Sequence, residues 1–167
     1  MTMLQLTLIR HAKSSWNDAL LNDYKRPLNQ RGLDNATLMG RILKEHGIQF
    51  DLMVSSPALR AATTAELLAS ELGYPTESID FDKKLYGAEV NTLLEVVQAF
   101  PDNKARIALV AHNPGLTDFC NYLCSAGISN LPTCAIAGIE FSVDDWSAVY
   151  RDTGTLDLYE YPRKHTD

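Results

Sequence analysis

Residues 4–11 read LQLTLIRH, an apolar stretch that ends in an arginine and a histidine. Leu4, Leu6, Leu8 and Ile9 together predict a short buried β-strand. In an open α/β sheet, ligands bind beyond the carboxyl ends of the strands. An arginine and a histidine at such an end predict an anion site that contains a nucleophile or a base.

The composition is that of an ordinary globular protein. The chain has 167 residues, of which 46% are hydrophobic and 22% are charged, and we expect one domain over residues 1–167. The net charge of −6 argues against a nucleic-acid partner, because nucleic-acid binders usually carry a basic face. No stretch resembles a transmembrane span or a signal peptide, so we expect a cytoplasmic protein that does not bind membranes.

Apolar runs alternate with helical patterns along the chain. Strands are predicted near residues 4–10, 52–55, 78–81 and 106–111, with amphipathic helices between them and after the last. The tail predicts two more strands, at residues 136–141 and 149–159. This alternation indicates a mostly parallel sheet that is covered by helices on both faces.

Capping residues predict where the helices begin. Asn29 is a suitable cap for the first helix. Ser56 and Pro57 are expected as the cap and the first position of the second helix, and Asn113 and Pro114 have the same roles in the last one.

Three of the predicted strands end in basic or reactive side chains. The first ends at Arg10 and His11, the second leads into a helix with Arg60 in its first turn, and the clearest strand ends at His112. Parallel strands would bring these four side chains to one edge of the sheet. Guanidinium forks and helix N-termini suit phosphate oxygens, so the residues favour a phosphate pocket. The alternative is that each of them is a structural or solvated side chain.

Four motifs in this order resemble the histidine phosphatase (phosphoglycerate mutase-like) superfamily. They are RHAKSSWN at residues 10–17, RPLNQRG at 26–32, SSPALR at 55–60 and VAHNPG at 110–115. Within this superfamily, the chain is most similar to the SixA-type phosphohistidine phosphatase branch. The similarity lies in the short length of the chain, the sequence of the first motif and the tail. The resemblance covers nearly the whole chain. It implies the phosphoglycerate mutase-like fold, a single three-layer α/β/α domain.

The resemblance also implies a role for each matching residue. His11 corresponds to the nucleophile that becomes phosphorylated, and Arg10, Arg60 and His112 correspond to the rest of the phosphate cradle. We expect a backbone carbonyl in the adjacent loop to fix the tautomer of His11. The implied reaction uses no metal and no other cofactor.

Other positions are less firmly matched, and two depart from the family pattern. Asn17 corresponds to a residue that touches the phosphoryl group in many members, and Arg26 corresponds to a basic residue at the pocket rim. Ala12 replaces the usual glycine. Lys13 stands where mutase-like members often carry an acidic residue, so it adds a basic group for phosphate. Glu89 is the candidate for the general acid, and an exposed helix-start glutamate is the alternative.

Three functions remain open at this stage. The first is a phosphohistidine phosphatase that acts on a phosphorylated protein domain, and the second is a phosphatase of small phosphorylated metabolites. The third is a non-catalytic phosphate-binding module. The sequence also leaves open whether Trp16, Tyr24 and Tyr86 shape the mouth of the pocket or pack elsewhere.

Overall fold

The computed structural model describes residues 3–17 and 20–166, which form an alternating series of strands and helices. The strands are β1 (Met3–Arg10), β2 (Leu52–Ser55), β3 (Asp80–Phe81), β4 (Arg106–Ala111), β5 (Ile136–Ser142) and β6 (Gly154–Glu160). The helices are α1 (Gln30–Glu45), α2 (Leu59–Leu72), α3 (Val90–Gln98) and α4 (Gly115–Cys124). None of the helices in these ranges is long and apolar enough to cross a membrane.

The six strands form one sheet in the order β3-β2-β4-β1-β5-β6. Strand β4 pairs in parallel with both β1 and β2, and β3 pairs in parallel with β2. The two tail strands are antiparallel, β5 to β1 and β6 to β5. The first four strands therefore end at the same edge of the sheet, as the sequence predicted.

Helices cover both faces of this sheet and produce the expected three-layer architecture. On one face, Leu6 and Leu8 of β1 belong to a core that includes Leu93 of α3 and Phe119 of α4. On the other face, residues of β1, α1 and α2 form a second core, which includes Ile9, Met39, Leu43, Ala61 and Leu68. Burial of both faces explains why the parallel strands are continuous apolar runs rather than alternating ones.

The predicted starts of two helices are wrong, and each has a local reason. Helix α2 begins at Leu59 rather than at Pro57, and its N-cap residue makes no side-chain capping bond. The hydroxyl of Ser56 instead lies beside His112, at 2.7 Å from Nε2. Helix α4 begins at Gly115, one residue later than predicted, although Asn113 Oδ1 still accepts the main-chain N–H of Thr117 at 3.1 Å.

Other boundaries agree with the sequence, apart from one in the tail. Asn29 caps α1, because its Oδ1 accepts the N–H of Gly32 at 2.8 Å. The last strand begins at Gly154 rather than at residue 149, because Trp146–Ala148 form a 3-10 helix and Asp152 has a φ of +57°. A residue with left-handed backbone dihedral angles cannot continue a β-strand.

Candidate active site

A pocket of about 300 Å³ lies at the carboxyl end of β1. It is lined by charged, polar and aromatic side chains from three segments: Arg10, His11, Lys13, Ser14, Trp16, Arg26, Arg60 and Thr133. Among residues 3–17 and 20–166, no group of three or more His, Cys, Asp or Glu side chains is arranged to hold a metal ion. The side chains that line the pocket offer guanidinium, imidazole, amine and hydroxyl groups to a ligand.

His11 is buried and is held in one orientation by the backbone. Its Nδ1 lies 2.7 Å from the carbonyl oxygen of Ala12. Because a carbonyl can only accept, the ring proton is on Nδ1, and Nε2 keeps its lone pair. The expectation of a backbone-carbonyl partner for His11 is thus confirmed. The N–H of Ala12 in turn donates to Thr64 Oγ1 at 2.9 Å, which ties this turn to α2.

The pKa of His11 is lowered to about 4. Burial is the main cause, and the positive charges of Arg60, Arg10 and Arg26 add to it, while the hydrogen bond to Ala12 opposes the shift. At neutral pH the imidazole is therefore uncharged. An uncharged imidazole with a free, oriented nitrogen is a nucleophile.

His112 is not one of the residues that line the pocket, but its ring stands beside that of His11, with 5.2 Å between the ring centroids. Its Nε2 contacts Ser56 Oγ at 2.7 Å. Burial, followed by the charges of His11 and Arg60, lowers the pKa of His112 to about 3, so this ring is also neutral at pH 7. A neutral imidazole can still donate one hydrogen bond to an anion.

Two buried nitrogen atoms at this site have no hydrogen-bond partner among the residues that the structure describes. They are Nε of Arg10 and Nδ1 of His112. Another nitrogen of Arg10, Nη1, donates to the carbonyl of Leu131 at 2.8 Å, which fixes the guanidinium. Buried polar groups are nearly always paired in native proteins, so each of these two nitrogens calls for a polar partner.

A carboxylate, which the sequence analysis did not identify, joins the two other arginines of the pocket. Arg60 donates from Nη1 to the carbonyl of Asp23 at 2.7 Å and from Nη2 to its Oδ2 at 2.9 Å. Arg26 donates from Nη1 to Oδ1 of Asp23 at 2.8 Å and from Nε to the carbonyl of Ser15 at 3.1 Å. It also contacts the hydroxyl of Ser14 through Nη2. Arg60 and Arg26 are both almost completely buried.

The structure brings some of the predicted residues together and leaves others apart. Lys13 lines the pocket from an exposed position. Asn17 is exposed and outside the lining, and its main-chain N–H donates to Ser15 Oγ at 3.1 Å. Glu89 is the exposed N-cap residue of α3 and is likewise outside the lining. The roles of Asn17 and Glu89 stay predictions.

Of the aromatic residues whose place the sequence left open, Trp16 lines the pocket, and Tyr24 and Tyr86 pack near His112. The guanidinium carbon of Arg26 lies 3.2 Å from the ring centroid of Trp16, whose other side remains exposed. The ring of Tyr86 packs edge-on against His112 at 5.6 Å, and Tyr24 packs against Tyr86 at 5.2 Å. All three rings remain exposed and contact residues of the site.

Relatives in sequence share part or most of this chain. An uncharacterized chloroplastic protein of Arabidopsis thaliana is 28% identical over 159 residues, which cover 90% of this chain and 72% of that protein. A 2,3-bisphosphoglycerate-dependent phosphoglycerate mutase of Methylocella silvestris is 38% identical over 88 residues, 49% of this chain and 43% of the mutase. The chain thus spans less than half the length of the mutase that it matches.

Solved structures share the whole fold. A candidate SixA phosphohistidine phosphatase from Nakamurella multipartitia superposes with a TM-score of 0.83 at 23% identity, over 97% of this chain and 98% of that chain. The protein histidine phosphatase SixA in complex with tungstate gives a TM-score of 0.81 at 26% identity, over 96% and 99% of the two chains.

The family model of the histidine phosphatase superfamily (branch 1) matches residues 6–93, which is more than half of the 167 residues. The matched segment contains Arg10, His11, Arg26 and Arg60, four of the residues that line the pocket. On this match the chain belongs to the histidine phosphatase superfamily, branch 1.

Proposed function

We propose that this protein is a phosphatase that transfers a phosphoryl group first to His11 and then to water, and that it removes phosphate from phosphohistidine in a protein. The observation that carries the proposal is the combination of a neutral, oriented His11 with two buried nitrogens beside it. Within residues 3–17 and 20–166, Nε of Arg10 and Nδ1 of His112 have no hydrogen-bond partner. A tetrahedral phosphoryl group would pair them and lie within reach of His11.

The reaction follows from these groups in two displacements. Nε2 of His11 attacks phosphorus while the bond to the leaving nitrogen breaks, and the leaving imidazole keeps the electron pair and takes a proton from solvent. Water then attacks the phosphorus of phosphorylated His11 and loses a proton to solvent while the bond from phosphorus to Nε2 breaks. His11 regains its electron pair, and inorganic phosphate is released. Arg10, Arg60 and His112 donate to the equatorial oxygens, whose charge spreads in both transition states.

The carboxylates near the pocket favour a labile substrate. Glu89 lies outside the lining. The pKa of Asp23 is lowered to about 2, mainly by the hydrogen bond from Tyr86 and then by its contacts with Arg60 and Arg26, so Asp23 is ionised at neutral pH. An ionised carboxylate cannot protonate a leaving group. An imidazole leaving group needs less proton transfer than an alkoxide, for which an acid is worth about a hundred- to ten-thousand-fold.

The exposed aromatic residues around the site favour a substrate carried by a protein. Trp16, Tyr24 and Tyr86 remain 77%, 38% and 37% exposed although they contact residues of the site. Exposed apolar surface beside a polar pocket is typical of a surface that binds another macromolecule, and aromatic residues are enriched at such interfaces. The structural likeness to SixA in complex with tungstate, an oxyanion, supports the same assignment.

A second candidate is a phosphatase of small phosphoesters, which the sequence relatedness to a phosphoglycerate mutase favours. The two candidates differ in the size and the leaving group of the substrate. The alignment with the mutase covers only 49% of this chain, however. Pocket residues outside the aligned part are not compared.

In the experiment, the wild-type protein is incubated separately with a histidine-phosphorylated phosphotransfer domain and with a set of sugar phosphates. Each substrate carries radioactive phosphate. We expect release of phosphate from the phosphoprotein and a transient label on His11 that is labile in acid and stable in base. The variant His11→Ala should take up no label. The control His46→Ala removes a histidine at the end of α1, outside the pocket lining, and should keep it.

Two results would contradict the proposal in different ways. Efficient turnover of sugar phosphates without any turnover of the phosphoprotein would reject the substrate but keep the chemistry. Absence of a base-stable label in the wild-type protein, under conditions where the phosphoprotein is hydrolysed, would reject His11 as the nucleophile.

A further inference from the structure

One carboxylate receives hydrogen bonds from three separate segments beside the pocket. Asp23 begins a short 3-10 helix, Asp23–Lys25, between β1 and α1. Its carboxylate accepts from Arg26 Nη1 at 2.8 Å, from Arg60 Nη2 at 2.9 Å and from the hydroxyl of Tyr86 at 2.6 Å. Its carbonyl accepts from Arg60 Nη1 at 2.7 Å. Asp23 therefore links the β1–α1 loop to α2 and to the segment before α3.

These contacts restrain the two long basic side chains of the pocket. The side chains of Arg60 and Arg26 are only 9% and 10% exposed, so each buried cation needs a charged or polar partner. The two bonds from Arg60 to Asp23 use two of the five guanidinium N–H groups, which leaves three for a ligand. A guanidinium with one edge fixed by a carboxylate loses little further freedom when its other donors bind phosphate.

The negative charge of Asp23 persists at the pH of the reaction. The hydrogen bond from Tyr86 and the two arginines hold its pKa near 2, against the effect of burial. The backbone at this point is fixed as well, because Asn22 Oδ1 accepts the N–H of Lys25 at 3.1 Å and closes the turn. The carboxylate is thus a permanent, well-placed acceptor.

We propose that Asp23 is a positioning residue for phosphoryl transfer, which holds the guanidinium groups of Arg60 and Arg26 in the orientation that receives the phosphoryl oxygens. This inference rests on the proposed function, because it concerns the same pocket. The alternative interpretation is that the Asp23 carboxylate is an internal anion, which competes with phosphate for the donors of Arg60 and Arg26. The two interpretations predict opposite changes in phosphate affinity when the carboxylate is removed.

The test measures equilibrium binding of inorganic phosphate by calorimetry, together with kcat and KM for the phosphoprotein. In Asp23→Ala we expect phosphate binding to weaken about tenfold and kcat to fall by a similar factor, because Arg60 and Arg26 each lose one charge-assisted hydrogen bond to the carboxylate. Asp23→Asn keeps one acceptor oxygen and should lie between Asp23→Ala and the wild type. Partial rescue by Asp23→Asn is a result that general loosening of the fold would not give.

Asp51 provides a matched control at the opposite edge of the sheet. Its carboxylate accepts from Arg106 Nη2 at 2.9 Å and from the main-chain N–H of the same residue at 3.0 Å. Asp51→Ala therefore removes a similar ion pair and should leave phosphate affinity and kcat unchanged, whatever its effect on thermal unfolding.

The outcomes separate this inference from the proposed function. Phosphate binding by Asp23→Ala that equals or exceeds that of the wild type would overturn the positioning role, and tighter binding would identify Asp23 as a competing anion. If the wild type binds phosphate but does not hydrolyse the phosphoprotein, the proposed substrate is wrong, and the effect of Asp23→Ala on binding still decides its role. If the wild type does not bind phosphate, both proposals are wrong.

Discussion

Nε2 of His112 and Oγ of Ser56 lie 2.7 Å apart in the interior of the site. Ser56 Oγ also accepts the N–H of Ala58 at 3.3 Å, so the hydroxyl proton is available to Nε2. We infer that the hydroxyl donates to Nε2 and that the ring proton of His112 is on Nδ1, which has no partner within the described residues. The serine thereby converts His112 into a donor for an anion.

Replacement of this serine should affect catalysis more than folding. In Ser56→Ala, His112 loses the bond that fixes its tautomer, and we expect kcat to fall about tenfold with a smaller change in KM, since one oriented donor weakens in the transition state. Steady-state kinetics on the phosphoprotein measure both constants. Ser55→Ala is the matched control, because Ser55 is equally buried but donates to the carbonyl of Ser56 at 2.9 Å. Equal losses of kcat in the two variants would contradict this role.

Thr64 supports the nucleophile from α2. Its Oγ1 accepts the N–H of Ala12 at 2.9 Å and donates to the carbonyl of Arg60 at 2.8 Å, and its side chain is completely buried. Thr64→Val keeps the shape but leaves the N–H of Ala12 unpaired. We expect the free energy of unfolding to fall by about 1–3 kcal/mol, and kcat to fall as the carbonyl that fixes His11 becomes mobile.

Urea unfolding and kinetics on the same preparations test this prediction. Thr63→Val, at the neighbouring and only partly buried position of α2, is the control and should change neither quantity appreciably. A fully stable Thr64→Val would show that the N–H of Ala12 finds another partner.

The low pKa values of the two histidines predict a definite dependence on pH. Burial is the main cause in both cases and lowers the pKa of His11 to about 4 and that of His112 to about 3. His11 attacks as the neutral ring. Protonation of His11 should therefore not lower kcat/KM until the pH falls to about 4. The measurement is the pH profile of kcat/KM. An acid limb near pH 6.5 in the wild-type profile would contradict a buried, neutral pair.

The same shifts predict how stability changes with pH. In the unfolded chain these imidazoles have pKa values of about 6.5 and bind protons below that pH, whereas in the folded protein they do not until about pH 4. Stability is therefore complete above about pH 6.5 and decreases as the pH falls toward 4. Urea unfolding from pH 7 to 4 should show a smaller decrease for His11→Gln than for the wild type, and parallel curves would contradict the assignment.

The sequence predicted the edge of the sheet where the site lies because strand ends are encoded locally. Arg10, His11 and His112 each follow a strongly apolar run, and Arg60 follows a strand and a turn, so a parallel sheet was enough to bring them together. The boundaries that were wrong are the start of α2 near Ser56, the start of α4 and the start of the last strand. At Ser56 a residue type with a strong capping preference contacts a long-range partner instead, which local propensity cannot show.

The contacts that orient the site were not predictable from the pattern of residues. Asp23 lies three residues before Arg26 and reads as a polar loop residue, and its bonds to Arg60 and Tyr86 join positions 37 and 63 residues apart. Thr64 resembles any other residue of α2 until its hydroxyl is seen beside Ala12. Such contacts depend on how the loop and the helices pack, which is a property of the whole fold.

Glu89 separates the two candidate substrates in a single variant. From the sequence, Glu89 is the candidate for the general acid, but Glu89 is exposed at the start of α3 and lies outside the pocket lining. We expect Glu89→Gln to change kcat on the phosphoprotein by less than about twofold, because an acid that takes part in proton transfer would contribute at least a hundredfold. The matched control is Glu95→Gln, which changes another carboxylate of α3. A large loss on sugar phosphates in Glu89→Gln alone would make Glu89 a proton donor and would favour the small-phosphoester function over the one that we propose.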